Sequence, residues 1–194
     1  MTYFSHTKTI ALALSFALLS ALGWAKDAPP PAVANPAQAL EEVIAKGKGF
    51  AVGPAASANT VYVMFDAQCP HCGQLWKTSQ PLLKTTKFVW IPVAILNAKS
   101  APQGAALLGA SDPAQAMAAH EASLLTGKGG VIVMGGMAPA MEAAIKGNNA
   151  IFSQFKIESV PFIIAKNPRT GDVVSTAGAL ETKALADFIG VDAN

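Results

Sequence analysis

The two cysteines of the chain stand three positions apart, where a predicted strand meets a predicted helix. The apolar, β-branched run at 60–64 predicts a strand that ends at Asp66. The pattern of 73–77, after the second cysteine, is typical of a helix. A strand therefore delivers Cys69 and Cys72 to the first turn of a helix. Because the chain has only 2 cysteines, any cysteine chemistry takes place here.

The composition is that of a folded protein with a sizeable core. Hydrophobic residues make up 52% of the 194 positions and charged residues 13%, which excludes an intrinsically disordered chain. The net charge of +2 and the lack of a Lys/Arg cluster predict no nucleic-acid partner. The length allows one ordinary domain with a tail or an insertion.

Residues 1–25 have the pattern of a secretory signal peptide. A weakly basic start with His6 and Lys8 precedes the apolar run 10–22, and small residues at 23 and 25 suit a cleavage site. The apolar run is shorter than the roughly 20 residues that span a bilayer, and a retained membrane anchor is the alternative. Export would place the cysteines in an oxidising compartment. Residues 26–36 predict a proline-rich linker, and 37–194 a single domain.

The order of predicted elements in that domain indicates an α/β fold. A helix at 37–46 and a short strand at 50–52 come before the cysteine strand, and Pro81 is expected to kink the cysteine helix. An apolar strand follows at 88–96. The alanine-rich segment 101–147 predicts a helical insertion, with its last short helix between Pro139 and Gly147. A hairpin from 162 to 175 and a helix at 182–189 complete the pattern.

Four functions compete for the sequence Cys69-Pro70-His71-Cys72, and a redox dithiol is favoured. A thiolate at a helix N-terminus faces unpaired N–H groups and the positive end of the helix dipole, which lowers its pKa. Pro70 suits the first helical turn, and His71 adds positive charge. We expect Cys69 to be the exposed attacking thiol, and Cys72 to resolve the mixed disulfide.

The three alternatives fit less well. A structural disulfide would close only a tiny loop and stabilise little. A zinc site needs more ligands than the two cysteines with His71 and His120, although copper(I) binding by two thiolates stays open. Haem attachment requires histidine after the second cysteine, where this chain has Gly73.

With Pro81 in the following helix and Val160-Pro161 before a later strand, this cysteine motif resembles the thioredoxin superfamily. The resemblance implies a thioredoxin fold, with a central mixed sheet flanked by helices. It also implies that Pro161 is cis and packs beside the cysteines. Val160 and Pro161 would then form the substrate-binding residues, with the backbone before the proline free to pair with a client strand.

Within that superfamily, several segments resemble the catalytic domain of the bacterial periplasmic protein DsbG and, more distantly, of DsbC. They are residues 90–95, 109–114, 120–122 and 176–178. The resemblance implies a periplasmic disulfide isomerase or reductase that acts on exported client proteins with cysteines. A membrane redox partner like DsbD would keep the pair reduced, and neither cofactor nor metal is implied.

Two features depart from that pattern. The Pro70-His71 dipeptide and Val160 resemble the oxidase DsbA, so a disulfide-donating oxidase with a DsbB-like partner is the alternative function. Only about 35 residues separate the expected cleavage site from Thr60. We therefore expect the N-terminal dimerisation domain of DsbC and DsbG to be absent, and monomer and dimer both stay open. Functions of another class are a copper(I)-binding chaperone and a module that holds unfolded clients without redox turnover.

Other residues are assigned more ordinary roles. We expect Asp66 to be a solvated carboxylate at a strand end and His120 to be a plain helix residue. Large apolar side chains are expected in the core rather than in a client-binding surface; these are Trp76, Trp90, Met134, Met137 and Met141.

Overall fold

The computed structural model describes residue 1 and residues 32–193. The predicted signal peptide at 1–25 and most of the predicted linker lie outside the described residues. The strands are β1 (Phe50–Val52), β2 (Asn59–Asp66), β3 (Thr86–Val93), β4 (Phe162–Lys166) and β5 (Val173–Ala177). The helices are α1 (Pro36–Lys46), α2 (Pro70–Ser79), α3 (Ser100–Leu108), α4 (Pro113–Leu125), α5 (Pro139–Gln154) and α6 (Thr182–Ile189), with a 3₁₀ helix at Gln80–Lys84.

The five strands form one mixed sheet in the order β1-β3-β2-β4-β5. Strands β2 and β3 are parallel, and the other three pairings are antiparallel. The cysteine strand β2 is central, and its residues Val63, Met64 and Phe65 are fully buried. A central parallel strand covered on both faces explains this continuous apolar run. The arrangement is the mixed, helix-flanked sheet that the resemblance implies.

Aromatic side chains fasten α2 to the sheet. Trp90 of β3 meets Trp76 of α2 with ring centroids 5.2 Å apart, and Phe65 of β2 with centroids 5.7 Å apart. Both contacts are edge-to-face, the geometry that aromatic quadrupoles favour. The prediction that both tryptophans belong to the core is confirmed. The cysteine helix is thereby held rigidly above β2.

Two helices begin with a capping residue that is followed by proline. Asn35 Oδ1 accepts a hydrogen bond from Gln38 N at 3.2 Å, at the start of α1. Asp112 Oδ1 accepts one from Gln115 N at 3.0 Å, at the start of α4. Each cap satisfies an N–H group that has no partner inside its helix.

Two local predictions are wrong. Pro81 ends α2 instead of kinking it, since the chain passes into a 3₁₀ helix at Gln80. The last insertion helix runs through Gly147 to Gln154.

Tertiary contacts explain the length of α5. A glycine costs a helix about 1 kcal/mol relative to alanine, which made Gly147 a plausible end. Just after it, however, Asn148 is fully buried and makes three hydrogen bonds of 2.8 Å: it accepts from Lys48 N and donates to Lys48 O and to Pro92 O. These bonds outweigh the local propensity.

Candidate active site

The cysteines occupy the first turn of α2. Cys69 is the N-cap residue, and Pro70 is the first residue of the helix. The backbone N–H of Cys72 donates to Cys69 O at 3.0 Å and lies 3.4 Å from Cys69 Sγ. The Cys69 sulfur thus takes the position of a capping oxygen, facing N–H groups that the helix leaves unpaired.

Both thiols are free and buried. Cys69 is 3% exposed and Cys72 is 0% exposed. The prediction of an exposed attacking thiol is therefore wrong. Cys69 belongs to the apolar cluster of the core, and its sulfur lies 3.6 Å from the carbonyl oxygen of Val160, to which the neutral thiol donates. The chain before Pro161 partly covers the cysteine.

The pKa values of the two thiols are shifted in opposite directions. The Cys72 thiol donates to Cys69, and this hydrogen bond is the largest cause that lowers the pKa of Cys69 to about 7. The backbone N–H groups of Cys72 and His71 and the charge of His71 act in the same direction, against the effect of burial. Burial raises the pKa of Cys72 well above its ordinary value, and its hydrogen bond to Cys69 adds to this. One sulfur is poised as a thiolate while the other stays a thiol.

His71 lies on the outer side of the turn. Its ring is exposed, and Nδ1 lies 3.0 Å from Gln74 Oε1, which accepts when Nδ1 carries the proton. Its charge contributes less to the Cys69 pKa than the hydrogen bonds do. The imidazole therefore adds to a lowering of the Cys69 pKa that the hydrogen bonds of the first helical turn already produce.

Val160 and Pro161 complete the group of residues that the sequence singled out. The peptide bond between them is cis, as the resemblance implies, and both residues are buried. Gly178 N donates to Pro161 O at 2.8 Å, which ties this segment to the end of β5. The fold thus brings residues 69 and 160 together from positions that are 91 apart in sequence.

A carboxylic acid that the sequence analysis did not assign lies beneath the cysteines. Glu121 of α4 is 1% exposed, and neither carboxyl oxygen has a hydrogen-bond partner. Burial, then the charge of Cys69, raises the pKa of Glu121 to about 8. One signal in the sequence pointed to it: Glu121 is the single acidic residue in the largely apolar helical stretch 116–125.

Asp66 is not the solvated carboxylate that was predicted, and His120 is not a plain helix residue. Asp66 is fully buried and accepts from Gln68 N at 2.8 Å, from Ile95 N at 2.8 Å and from Leu96 N at 3.0 Å. At the ends of β2 and β3, the carboxylate accepts hydrogen bonds from backbone N–H groups that would otherwise lack a partner in the sheet. This bonding explains why the carboxylate is buried.

His120 is also fully buried and connects Ala67, just after β2, to a glycine-rich loop at 127–136. Val131 N donates to His120 Nδ1 at 3.0 Å, so the proton is assigned to Nε2, which donates to Ala67 O at 2.6 Å. Burial lowers the pKa of His120, so the imidazole is neutral. Because both ring nitrogens have partners, His120 holds the loop beside the strand that leads to the cysteines.

Met134, Met137 and Met141 are not core residues either. Met134 is 91% exposed, and Met137 and Met141 are only partly buried. Ile132, two positions before Met134, is 90% exposed. The loop that His120 holds therefore presents large apolar side chains to solvent.

Residues 32–193 contain no cluster of three His, Cys, Asp or Glu side chains arranged to bind a metal ion. In the same part of the chain, no helix has the length and apolar character that a membrane crossing needs.

No family model matches the chain. It is 28% identical over 144 residues to the thiol:disulfide interchange protein DsbG of Pseudomonas aeruginosa, in an alignment that covers 73% of this chain and 55% of that protein. The chain thus spans about half the length of this curated relative.

Solved structures share the fold at low sequence identity. The catalytic domain of Proteus mirabilis ScsC superposes with a TM-score of 0.61 at 15% identity, covering 78% of this chain and 95% of that one. A periplasmic thioredoxin-like protein from Salmonella enterica serovar Typhimurium gives 0.62 at 13%, covering 79% and 94%. The thiol-disulfide exchange protein α-DsbA2 of Wolbachia pipientis gives 0.59 at 14%, covering 78% and 92%. The chain therefore has a thioredoxin-like fold, and its sequence is similar to that of a thiol:disulfide interchange protein.

Proposed function

We propose that the chain is a periplasmic thiol-disulfide oxidoreductase that reduces or isomerises disulfides of exported proteins through Cys69 and Cys72. The observation that carries the proposal is that the pKa values of the two cysteines in the first turn of α2 are shifted in opposite directions. The pKa of Cys69 is lowered to about 7, and that of the adjacent Cys72 is raised. A nucleophilic thiolate next to a reserve thiol is what two-step disulfide exchange requires.

The reaction proceeds in two exchanges. The Cys69 thiolate attacks one sulfur of a client disulfide, a Cys69–client disulfide forms, and the second client sulfur leaves as a thiolate. In the isomerase mode, that client thiolate or another attacks the mixed disulfide, and Cys69 leaves as a thiolate again. In the reductase mode, Cys72 loses its proton and attacks Cys69, so the protein disulfide forms and the client departs with two more electrons.

The acidity of Cys69 favours the reductase or isomerase direction. A pKa near 7 is that of the reducing thioredoxin type, whereas the strongly oxidising DsbA has a thiolate near pKa 3.5. Stabilising the thiolate stabilises the reduced protein and makes its disulfide more oxidising. With Cys69 at about 7, this stabilisation is moderate. A DsbD-like membrane protein is the proposed electron donor.

Val160 and Pro161 form the proposed substrate-binding residues. The Val160 carbonyl lies 3.6 Å from Cys69 Sγ, so an extended client segment alongside residue 160 would bring its own sulfur to Cys69. Since Cys69 is 3% exposed, the client must displace part of this cover to reach the sulfur.

A disulfide-donating oxidase is the second candidate, favoured by one observation. His71 lies within the cysteine motif, and its charge lowers the Cys69 pKa. In this direction the protein starts as the disulfide, a client thiolate attacks it, and the client leaves oxidised. A DsbB-like membrane protein would then restore the disulfide.

Refolding of ribonuclease separates the two directions. The reduced protein added to scrambled ribonuclease should restore ribonuclease activity, and the oxidised protein added to reduced ribonuclease should do so more slowly. Cys69→Ala should abolish both activities, whereas Lys146→Ala, on an exposed side chain of α5, should change neither. Activity on reduced ribonuclease alone would establish the oxidase instead. Full activity of Cys69→Ala would refute both candidates.

A further inference from the structure

Two positively charged side chains line a cavity beside the glycine-rich loop, here called the lysine cavity. It measures about 360 Å³ and lies between the start of α3 and residues 128–135 of the loop. Lys99 precedes α3 and Lys128 belongs to the loop, and both are exposed to solvent. The other lining residues carry no charge, and they include the apolar Ile132 and Val133. The cavity thus combines positive charge with apolar surface.

The positive charge of this cavity has no acidic counterpart around it. Residues 94–111 and 122–141, which supply the cavity wall, contain the two lysines as their only charged side chains. In the described part of the chain, neither ammonium group forms a salt bridge. The carboxyl groups of Asp66 and Glu121, on the elements around the cysteine turn, are buried. Since charge of one sign attracts ligands of the other, this surface favours an anion.

Hydrogen bonds connect the cavity wall to the residue that precedes Cys69. Gln68 Nε2 donates to Gln103 Oε1 at 2.6 Å and to Gly129 O at 3.2 Å, and both partners line the cavity. Gln103 Nε2 in turn donates to Gly129 O at 2.9 Å and to Val131 O at 2.7 Å. These bonds hold the loop against α3, so the cavity keeps a fixed position relative to the attacking sulfur.

The lysine cavity is within reach of a client that is bound to Cys69. The wall lies one long side chain away from the cysteine turn, a distance of roughly 10 Å that about three extended residues span. Because both hydrogens of the Gln103 amide are donated to the loop, the lysines are the lining side chains that can donate to a ligand. Carboxylates are the anionic side chains of an unmodified polypeptide, and they pair with ammonium groups.

We propose that the lysine cavity binds carboxylate side chains of client proteins, and that Cys69 therefore reacts preferentially with client cysteines about three residues from Asp or Glu. The inference rests on the proposed function and deepens it, since it names a class of client sequence. Ile132 and Val133 add apolar contact, so an acidic residue next to an apolar one suits the cavity best.

Release of a coloured thiol measures this preference. Two peptides with one cysteine each carry either aspartate or asparagine three positions before and three positions after it. The cysteine of each peptide is joined to an aromatic thiol by a disulfide bond. The Cys69 thiolate attacks the peptide sulfur, the Cys69–peptide disulfide forms, and the aromatic thiol leaves as a coloured thiolate.

The reduced wild-type protein should release the aromatic thiol about fivefold faster from the aspartate peptide, the combined effect of two exposed charge pairs. Rates with dithiothreitol correct for the intrinsic reactivity of each peptide. The preference should decrease at high salt, because salt screens exposed charges.

Removal of both positive charges should abolish the preference. In the double variant Lys99→Gln/Lys128→Gln, the two peptides should react at equal corrected rates. The rate with the asparagine peptide should match that of wild type, because the reacting sulfur is unchanged. Lys146→Gln, at an exposed position of α5 outside the lysine cavity, is the matched control and should keep the fivefold preference.

Equal corrected rates in wild type would overturn the proposal, and so would a full preference in the double variant. Either result concerns only the choice between the two peptides and would leave the proposed disulfide exchange intact. That chemistry fails separately, if Cys69→Ala keeps its activity on ribonuclease.

Discussion

The sulfur of Cys69 lies 3.6 Å from the carbonyl oxygen of Val160, although 91 positions separate the two residues. The neutral thiol donates a hydrogen bond to this oxygen, whereas a thiolate would be repelled by it. The N–H groups at the start of α2 favour the thiolate. One hydrogen-bond acceptor therefore opposes ionisation of Cys69 and several donors favour it, and the net effect is a lowered pKa.

Removing Cys72 should raise the pKa of Cys69. The Cys72 thiol is the strongest contributor to the lowered value of about 7, and alanine cannot replace its hydrogen bond. The ultraviolet absorbance of the thiolate should therefore titrate at higher pH in Cys72→Ala than in wild type. In Cys69→Ala no thiolate should form near pH 7, since burial raises the pKa of Cys72. Titration of Cys72→Ala at or below the wild-type midpoint would contradict this.

The reduced protein should lose stability as the pH rises from about 4.5 to 8. Glu121 has a folded pKa of about 8 against an ordinary value of 4.5, so in this window the unfolded state ionises and the folded state does not. The loss should be on the order of 4 kcal/mol, and it should largely disappear in Glu121→Gln.

The opposite trend applies to Cys69, whose folded pKa is lowered from 9.0 to about 7. Its stabilisation is full above pH 9 and is lost as the pH falls through 7. Urea unfolding at a series of pH values measures both effects. If the free energy of unfolding of Glu121→Gln changed with pH in the same way as that of wild type between pH 4.5 and 7, Glu121 would not have a raised pKa.

The two histidines of the described chain should affect different properties. His71→Ala should raise the Cys69 pKa and change the free energy of unfolding by no more than about 0.5 kcal/mol, because the ring is exposed. His120→Ala should cost about 3 kcal/mol, because it leaves Ala67 O and Val131 N without partners and opens a cavity. Thermal unfolding and thiolate titration of both variants provide the comparison. Equal stabilities would contradict the tethering role of His120.

The loop that carries Ile132 and Met134 should bind unfolded clients. It is held beside the cysteine turn by Gln68, whose Nε2 donates to Gly129 O at 3.2 Å, and its two apolar side chains are about 90% exposed. Replacing both Ile132 and Met134 by serine should weaken binding of a cysteine-free unfolded protein about tenfold, from the apolar area lost.

The same double variant should react with a small disulfide at the wild-type rate. Ile44→Ser, at a 57% exposed position on α1, serves as the control and should leave client binding unchanged. If the double variant bound clients as tightly as wild type does, the loop would have no role in their recognition.

Patterns in the sequence predicted the secondary-structure elements well. They predicted the surroundings of single polar residues less well. The strand ending at Asp66, the helix starts at Asn35 and Asp112, and the burial of Trp90 follow from local periodicity and capping chemistry. These signals depend on neighbours in the chain. Asp66 was predicted to be solvated because its partners at 95 and 96 reach it only through the pairing of β2 with β3.

Glu121 and the burial of Cys69 were missed for the same reason. The carboxyl group reaches the cysteines only because an insertion helix packs over Gly73, and Cys69 is covered only because Val160 folds back onto it. A helical pattern indicates an apolar face but not which distant element will meet it. The motif 69–72 nevertheless placed the site correctly in the first turn of α2.

Trapping a mixed disulfide tests the central claim most directly. Cys72→Ala, incubated with a client protein that contains one disulfide, should form a covalent adduct that reductant releases. Peptide mapping should place the bond at Cys69, and Cys69→Ala should form no adduct. The account would be contradicted if Cys72→Ala formed no adduct under conditions in which the wild-type protein reduces that client.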